Sequence, residues 1–144
     1  MKDYNNYTAT QKKTIAVKPL EFLTDGGYKL LCGKNNNQND FITLKCATKN
    51  DYWFHVKNAP GSHVVMMCDG QNKNDPSDLD FTQAAAIAAY FSKLRDGINI
   101  PVDYTLIRNV KKPSGSKPGF VIYTTNRTAY VSPDKETVDM LKIK

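Results

Sequence analysis

The stretch SDLDFTQAAAIAAYFSKLRDG, residues 77–97, constrains the fold more than any other part of the chain. Ser77 is a helix N-cap residue, and Asp80 stands three positions on, where a capping box needs its acid. Phe81, Ala84, Ala85, Ala88, Phe91 and Leu94 follow at helical spacing. Lys93 and Arg95 suit the negative end of a helix dipole, and Gly97 suits a C-cap. The pattern predicts one long amphipathic helix over about 77–96. Its alanines leave little side-chain bulk, so its apolar face has to lie close against a sheet.

The rest of the chain supplies strands for that sheet. Leu20–Thr24 and Tyr28–Cys32 flank the turn signal Asp25-Gly26-Gly27 and read as a hairpin. A short helix is expected from about Asn37 to Ala47. Residues 52–57 and 63–68 read as strands joined by a four-residue turn, Asn58-Ala59-Pro60-Gly61. Asn72 to Pro76 reads as a polar loop. Val102 to Val110 is rich in β-formers, and 119–124 with 128–131 resembles a hairpin across Thr125-Asn126-Arg127. A last short helix is expected from Asp134 to about Leu141. The order β-β-α-β-β-α-β-β-β-α, dominated by hairpins, predicts an α+β domain with a largely antiparallel sheet. Residues 1–17 read as a tail or linker end, 18–134 as the domain and 135–144 as a C-terminal helical tail.

A chain of 144 residues is one domain's worth. No apolar run is long enough to span a membrane. The polar N-terminus has no signal region, so the expectation is a cytoplasmic protein. Cys32, Cys46 and Cys68 form no C-x-x-C pair and read as buried small hydrophobes rather than zinc ligands or a disulfide framework. The Gly33-Lys34 pair lacks the spacing of a phosphate loop. The net charge of +6 is unevenly spread: residues 51–103 hold four basic and seven acidic residues, whereas 104–133 hold five basic and none acidic. A one-sign segment attracts partners of opposite charge.

Two stretches could carry chemistry. The first is DYWFHVKNAPGSHVV, residues 51–65, with both histidines and the only tryptophan. A metal-dependent nuclease built on His55 and His63 with Asp51 or Asp103 is conceivable. The usual local spacing of histidine metal ligands is missing, however. The plainer expectation for His63 is a satisfied, semi-buried ring that holds a turn's backbone. The four-residue turn would send the two histidines to opposite faces, and a three- or five-residue turn to the same face. Tyr52, Phe54 and Val56 suit the core, which leaves Trp53, His55 and Lys57 as an outer stripe able to stack a base and touch a phosphate. A helix covering that face would instead make Trp53 core. The second stretch runs from Arg108 to Gly119. It carries Arg108, Lys111, Lys112 and Lys117, with Ser114 and Ser116 as donors and Pro and Gly to stiffen a loop. The acid-free run 104–133 around it, with Tyr104, Phe120, Tyr123 and Tyr130 interleaved, favours nucleic acid, and a basic patch does not by itself tell DNA from RNA.

In order along the chain, several motifs resemble the NFACT-R domain of the RqcH/NEMF type of ribosome-quality-control factor. They are Gly33-Lys34-Asn35-Asn36-x-Gln38-Asn39-Asp40, Asp51-x-Trp53-Phe54-His55-x-Lys57-x-x-Pro60-Gly61-Ser62-His63-Val64 and Ala84-Ala85-x-x-Ala88-Ala89-Tyr90-x-Ser92. Pro101-Val102-Asp103-Tyr104-Thr105 and Val110-Lys111-Lys112-Pro113-Ser114-Gly115-x-Lys117-Pro118-Gly119 complete the set. The resemblance covers roughly residues 18–134. It implies an RNA-binding module, with tRNA or the large ribosomal subunit as partner, no cofactor and no enzymatic activity. By resemblance, Lys34, Asn35 and Asn36, the Trp53-to-His63 hairpin and the Lys111-to-Lys117 loop are its working surfaces. Bacterial members of the family have often been called fibronectin-binding proteins, so an adhesin domain stands as an alternative. The NFACT-N, helix-hairpin-helix and coiled-coil segments of full-length relatives are not in this sequence.

Overall fold

The computed structural model describes residues 18–69 and 75–143. The expected tail 1–17 and most of the polar loop at 72–76 lie outside them. Strands β1 (Leu20–Leu23) and β2 (Lys29–Cys32) form the expected hairpin. Helix α1 (Asn36–Phe41) follows and runs into a π-helical turn, Ile42–Cys46. Next come β3 (Tyr52–Val56), β4 (Val64–Met67) and helix α2 (Asp78–Tyr90). Strand β5 (Ile100–Leu106) leads through a 3-10 turn into β6 (Val110–Lys111), then β7 (Ile122–Tyr123), β8 (Arg127–Val131) and helix α3 (Lys135–Leu141). Six strands make one sheet in the order β1-β2-β4-β3-β5-β8, and every pairing in it is antiparallel.

Helix α2 packs on one face of this sheet. Alternation places Leu30, Phe54, Val56, Val64, Met66 and Val102 on that face, where they form the main core with Ala84, Ala85, Ile87 and Ala88. The capping box is present: Ser77 Oγ accepts from Asp80 N, and the Asp80 carboxylate accepts from Ser77 N. That carboxylate also accepts from Gly26 N at 2.8 Å, and Gln83 Oε1 accepts from Asp25 N at 2.9 Å. The β1–β2 turn is thereby bonded to the first turns of α2. A Cβ on Gly26 would come within 2.4 Å of the Asp80 carboxylate, so the turn needs glycine there. Burial alone would raise the Asp80 carboxyl, but the donors from Ser77, Gly26 and Thr24 outweigh it and hold the group below its usual range.

The expectation of a long amphipathic helix is corrected twice. Helix α2 ends at Tyr90, because the following backbone pairs with the β3–β4 connection: Ser62 N donates to Phe91 O at 2.9 Å, and Lys93 N to Pro60 O at 3.0 Å. Nor is it amphipathic, since Ala84 through Ala89 are all buried. Helix α3 packs against α2 and adds Val138 and Leu141 to the same core. Ile143 N donates to Glu21 O, so the segment read as a helical tail joins the domain's packing.

The second hairpin expectation is also corrected. Strand β7 pairs with β6 in a separate two-stranded ribbon, and β8 pairs with β5. The Thr124–Asn126 link is a crossover rather than a hairpin turn. Thr105 Oγ1 donates toward Thr124 O and Thr125 O at 3.0 and 3.2 Å, and Thr124 N donates to Asn109 O. The ribbon, with α1 and the π turn, covers the other face of the sheet. There Leu31, Ile42 and Val65 make a smaller core.

Candidate nucleic-acid interface

The site is built on the sheet face away from α2. Phe54 pairs with Val64, so His55 stands opposite His63 and both point to this face. The four-residue register is therefore corrected to the odd-numbered one that puts both rings on one side. Their centroids lie 5.5 Å apart, and Trp53 stacks parallel to His55 at 5.7 Å. Tyr123 of the ribbon closes over Trp53 at 4.7 Å. Trp53 is 1% exposed. The expected outer stripe is thus covered, by the β-ribbon over Trp53 with the π-helical turn beside it at His63. Lys57, beyond the end of β3, is the only one of its three members that is exposed.

His63 ties three chain segments together. Trp53 Nε1 can only donate, and it donates to His63 Nδ1 at 3.1 Å. The ring proton therefore sits on Nε2, which donates to Gly119 O at 3.0 Å. The Thr43 hydroxyl lies 2.8 Å from Nδ1. Burial, helped by His55, pushes the His63 pKa down to about 3, so the ring is neutral. His63 N donates to Asn39 Oδ1, Gly33 N donates to His63 O, and Ser62 Oγ donates to Gly33 O. The expectation of a satisfied ring holding loop backbone is met at His63, although the ring is fully buried.

The basic loop is anchored from the same place. Gly119 N donates to Asp40 Oδ1 at 3.0 Å, and Lys112 Nζ pairs with Asp40 at 3.3 Å. Lys112 also donates to Lys117 O and to Phe120 O, so its ammonium points into its own loop. A Cβ on Gly119 would meet the Asn36 amide at 2.7 Å, and its φ of 86° favours glycine as well. The stretches 33–40, 51–64 and 110–119, far apart in sequence, meet at one seam.

Two grooves open beside that seam. One, of about 520 Å³, is lined by Asn35, Asn36, Asn37, Lys117 and Pro118. The other, of about 570 Å³, runs from Lys34, Asn35 and Asn36 across Pro60–Ser62 to Tyr90–Arg95. Asn35 and Asn36 are common to both. Among the described residues, Lys34, Lys93, Arg95, Lys111 and Lys117 have no carboxylate within salt-bridge distance. This rim carries cations and amide groups, the donors that phosphate and sugar oxygens accept.

The family model for the NFACT protein RNA binding domain matches residues 18–125. This chain belongs to that family. It is 46% identical over 134 residues to the Rqc2 homolog RqcH of Bacillus subtilis, covering 92% of this chain and 23% of that protein. Against the Rqc2 homolog RqcH of Streptococcus suis it is 46% identical over 127 residues, 88% of this chain and 22% of the relative. The NFACT-R chain thus spans less than a quarter of the length of these curated relatives. The solved C-terminal part of the fibronectin/fibrinogen-binding protein from Streptococcus suis superposes with a TM-score of 0.81 at 44% identity, covering 88% of this chain and 50% of that one.

The residues singled out in this NFACT-R sequence fall into three groups. Lys34, Asn35, Asn36 and Lys117 come together on the grooves, with Lys111 and Ser114 exposed on the same basic loop. Trp53, His55, His63 and Lys112 belong to the support beneath. Lys57 and Arg108 are exposed but line neither groove, and Arg108 donates to Lys49 O and Asn50 Oδ1. Neither carboxylate of the nuclease reading is free. Asp51 accepts from the backbone of Thr48, Cys68 and Asp69, and Asp103 accepts from Tyr123 Oη and Thr128 Oγ1. Among the described residues no group of three or more His, Cys, Asp or Glu side chains is placed to hold a metal. The helix pattern places Lys93 and Arg95 at a helix end, whereas the structure sets both on the larger groove. Only the helix's early stop brings them there. Among the described residues, no helix is long and apolar enough to cross a membrane.

Proposed function

We propose that this NFACT-R domain binds tRNA or the RNA of the large ribosomal subunit, as one module of a ribosome-rescue factor and without chemistry of its own. The supporting observation is the convergence of three sequence motifs on one seam, which sets Asn35, Asn36 and Lys117 along a single groove. Lys34, Lys111 and Lys117 neutralise phosphates in this reading, while Asn35, Asn36 and Ser114 donate to phosphate or ribose oxygens. Lys112 holds the loop in the shape that presents them. The segment 104–133, free of acidic residues, supplies the surrounding field.

A titration of tRNA against ionic strength tests this. Binding weakens steeply with salt, and changing Lys34, Lys111 and Lys117 together to Glu abolishes it near physiological salt. The three corresponding Ala changes flatten the log–log salt slope by about 2–3 units. Binding that ignores both salt and these changes overturns the proposal. The name of the solved relative motivates one parallel arm with immobilised fibronectin, where saturable binding untouched by the lysine changes would favour an adhesin role.

A further inference from the structure

We propose that the larger groove, between the Lys34–Asn36 loop and the turn after α2, is a subsite for one unstacked nucleotide of single-stranded RNA. This rests on the RNA-binding reading and specifies what part of an RNA the groove takes. Its volume of about 570 Å³ falls within the range of about 300–1,000 Å³ usual for small-ligand sites. It is too small to admit a duplex, yet open enough for a strand to enter and leave.

The walls differ in chemistry, and each suits a different part of a nucleotide. On one side the Arg95 guanidinium lies over the Tyr90 ring, 4.1 Å from its centroid. One face of the guanidinium plane is thus backed by an aromatic ring, and a base can stack on a plane held in this way. On the opposite side stand Lys34 and the side chains of Asn35 and Asn36. Asn35 Oδ1 already accepts from Gln38 N at 2.9 Å, which leaves its amide NH₂ as donor. Lys93 adds a second cation beside Arg95.

The floor is fixed rather than pliable. Gly61 and Ser92 form a β-bridge, and a Cβ on Gly61 would lie 2.8 Å from Ser92 Cβ. Ser92 Oγ donates to Ala89 O, and Ser62 Oγ is spent on Gly33 O. Recognition therefore falls to the rim: a planar stack on one wall and cations with amides on the other. That pairing fits a base joined to a phosphate better than it fits a bare anion. Asn35 and Asn36 also line the smaller groove, so a strand leaving the subsite passes directly to Lys117.

The test compares a labelled single-stranded oligoribonucleotide with a duplex of the same sequence. Arg95→Ala weakens binding of the single strand about tenfold, in line with base stacking on side chains, and leaves duplex binding within about twofold. Arg95→Lys keeps the charge and loses the plane, and it reproduces most of the Ala effect on the single strand. Melting curves confirm that both variants fold, and Tyr90→Leu, which removes the backing ring, moves the single-strand affinity the same way. If Arg95→Lys restores wild-type binding, or if Arg95→Ala weakens duplex and single strand alike, the subsite is overturned while RNA binding by the lysine face stands. Loss of all RNA binding in the wild-type domain overturns both readings.

Discussion

The buried underside of the seam and its exposed rim come from the same three motifs but use opposite chemistry. The underside holds Trp53 with His55, His63 and Tyr123, each ring within about 6 Å of Trp53; Trp53 and His63 are buried, His55 and Tyr123 half-buried. The rim holds Lys34, Asn35, Asn36 and Lys117, each surrounded by solvent on at least one side. Rings gain from leaving water once their polar tips are satisfied, as Trp53 Nε1 and both nitrogens of His63 are. Ammonium and amide groups lose on burial unless paired. The residues that look most catalytic therefore support the seam from beneath, and the plainer ones are left at the solvent-facing rim, where we propose that RNA binds.

Four experiments press on that division. The largest effect is expected at His63→Ala. It leaves Trp53 Nε1 and Gly119 O without partners and opens a cavity, so urea denaturation should show a loss of about 3 kcal/mol. RNA binding falls with it as the 112–120 loop is released. An unchanged stability would erase the distinction between support and rim.

Next is the pH dependence of the wild-type fold. His63 is neutral when folded, its pKa held at about 3, and it takes a proton near 6.5 when unfolded. Below about 6.5 the unfolded chain binds a proton that the folded chain refuses, so stability falls as pH drops from 6.5 towards 3. This group alone removes about 2 kcal/mol by pH 5. Burial lowers His55 as well, in the same direction. Chemical denaturation at pH 7 and pH 5 measures the sum, and His63→Gln should shrink the difference.

A smaller contrast separates neighbours on one loop. Lys112→Ala breaks the Asp40 pair and the loop bonds, which costs about 1 kcal/mol, whereas Lys111→Ala leaves stability within experimental error. In RNA titrations Lys111→Ala lowers the salt slope by about one unit. Equal melting temperatures for the two variants would show that Lys112 is not an anchor. The smallest effect is expected at Lys57→Ala, which lines neither groove and should shift RNA affinity less than threefold.

Much of this was legible in the chain itself. The Ser77–Asp80 capping box, the Asp25-Gly26-Gly27 turn and the alternation of Tyr52–Val56 each rest on a local rule, and each appears in the structure. The inward set Phe54 and Val56 was read correctly for the same reason. The failures have one cause in common. The stop of α2 at Tyr90, the separation of β7 from β8 and the covering of Trp53 all depend on backbone from a distant part of the chain: Pro60 and Ser62, Asn109 and Thr105, and the ribbon. Local periodicity carries no information about such partners. Strand parity behaved likewise, since the Phe54–Val64 register is that of an odd-numbered connection, which places His55 and His63 on the same face.

By itself the sequence determined the α+β class, the antiparallel β1–β2 and β3–β4 pairs, the charge asymmetry and the family, because these follow from patterns that neighbouring residues impose on one another. Only the tertiary structure decided which side chains face water. Trp53 and His63 went inside because a ribbon more than fifty residues away folds over them and supplies Gly119 O as an acceptor. Lys93 and Arg95 came to a groove because the backbone after Tyr90 found better partners at Pro60 and Ser62 than in another turn of helix.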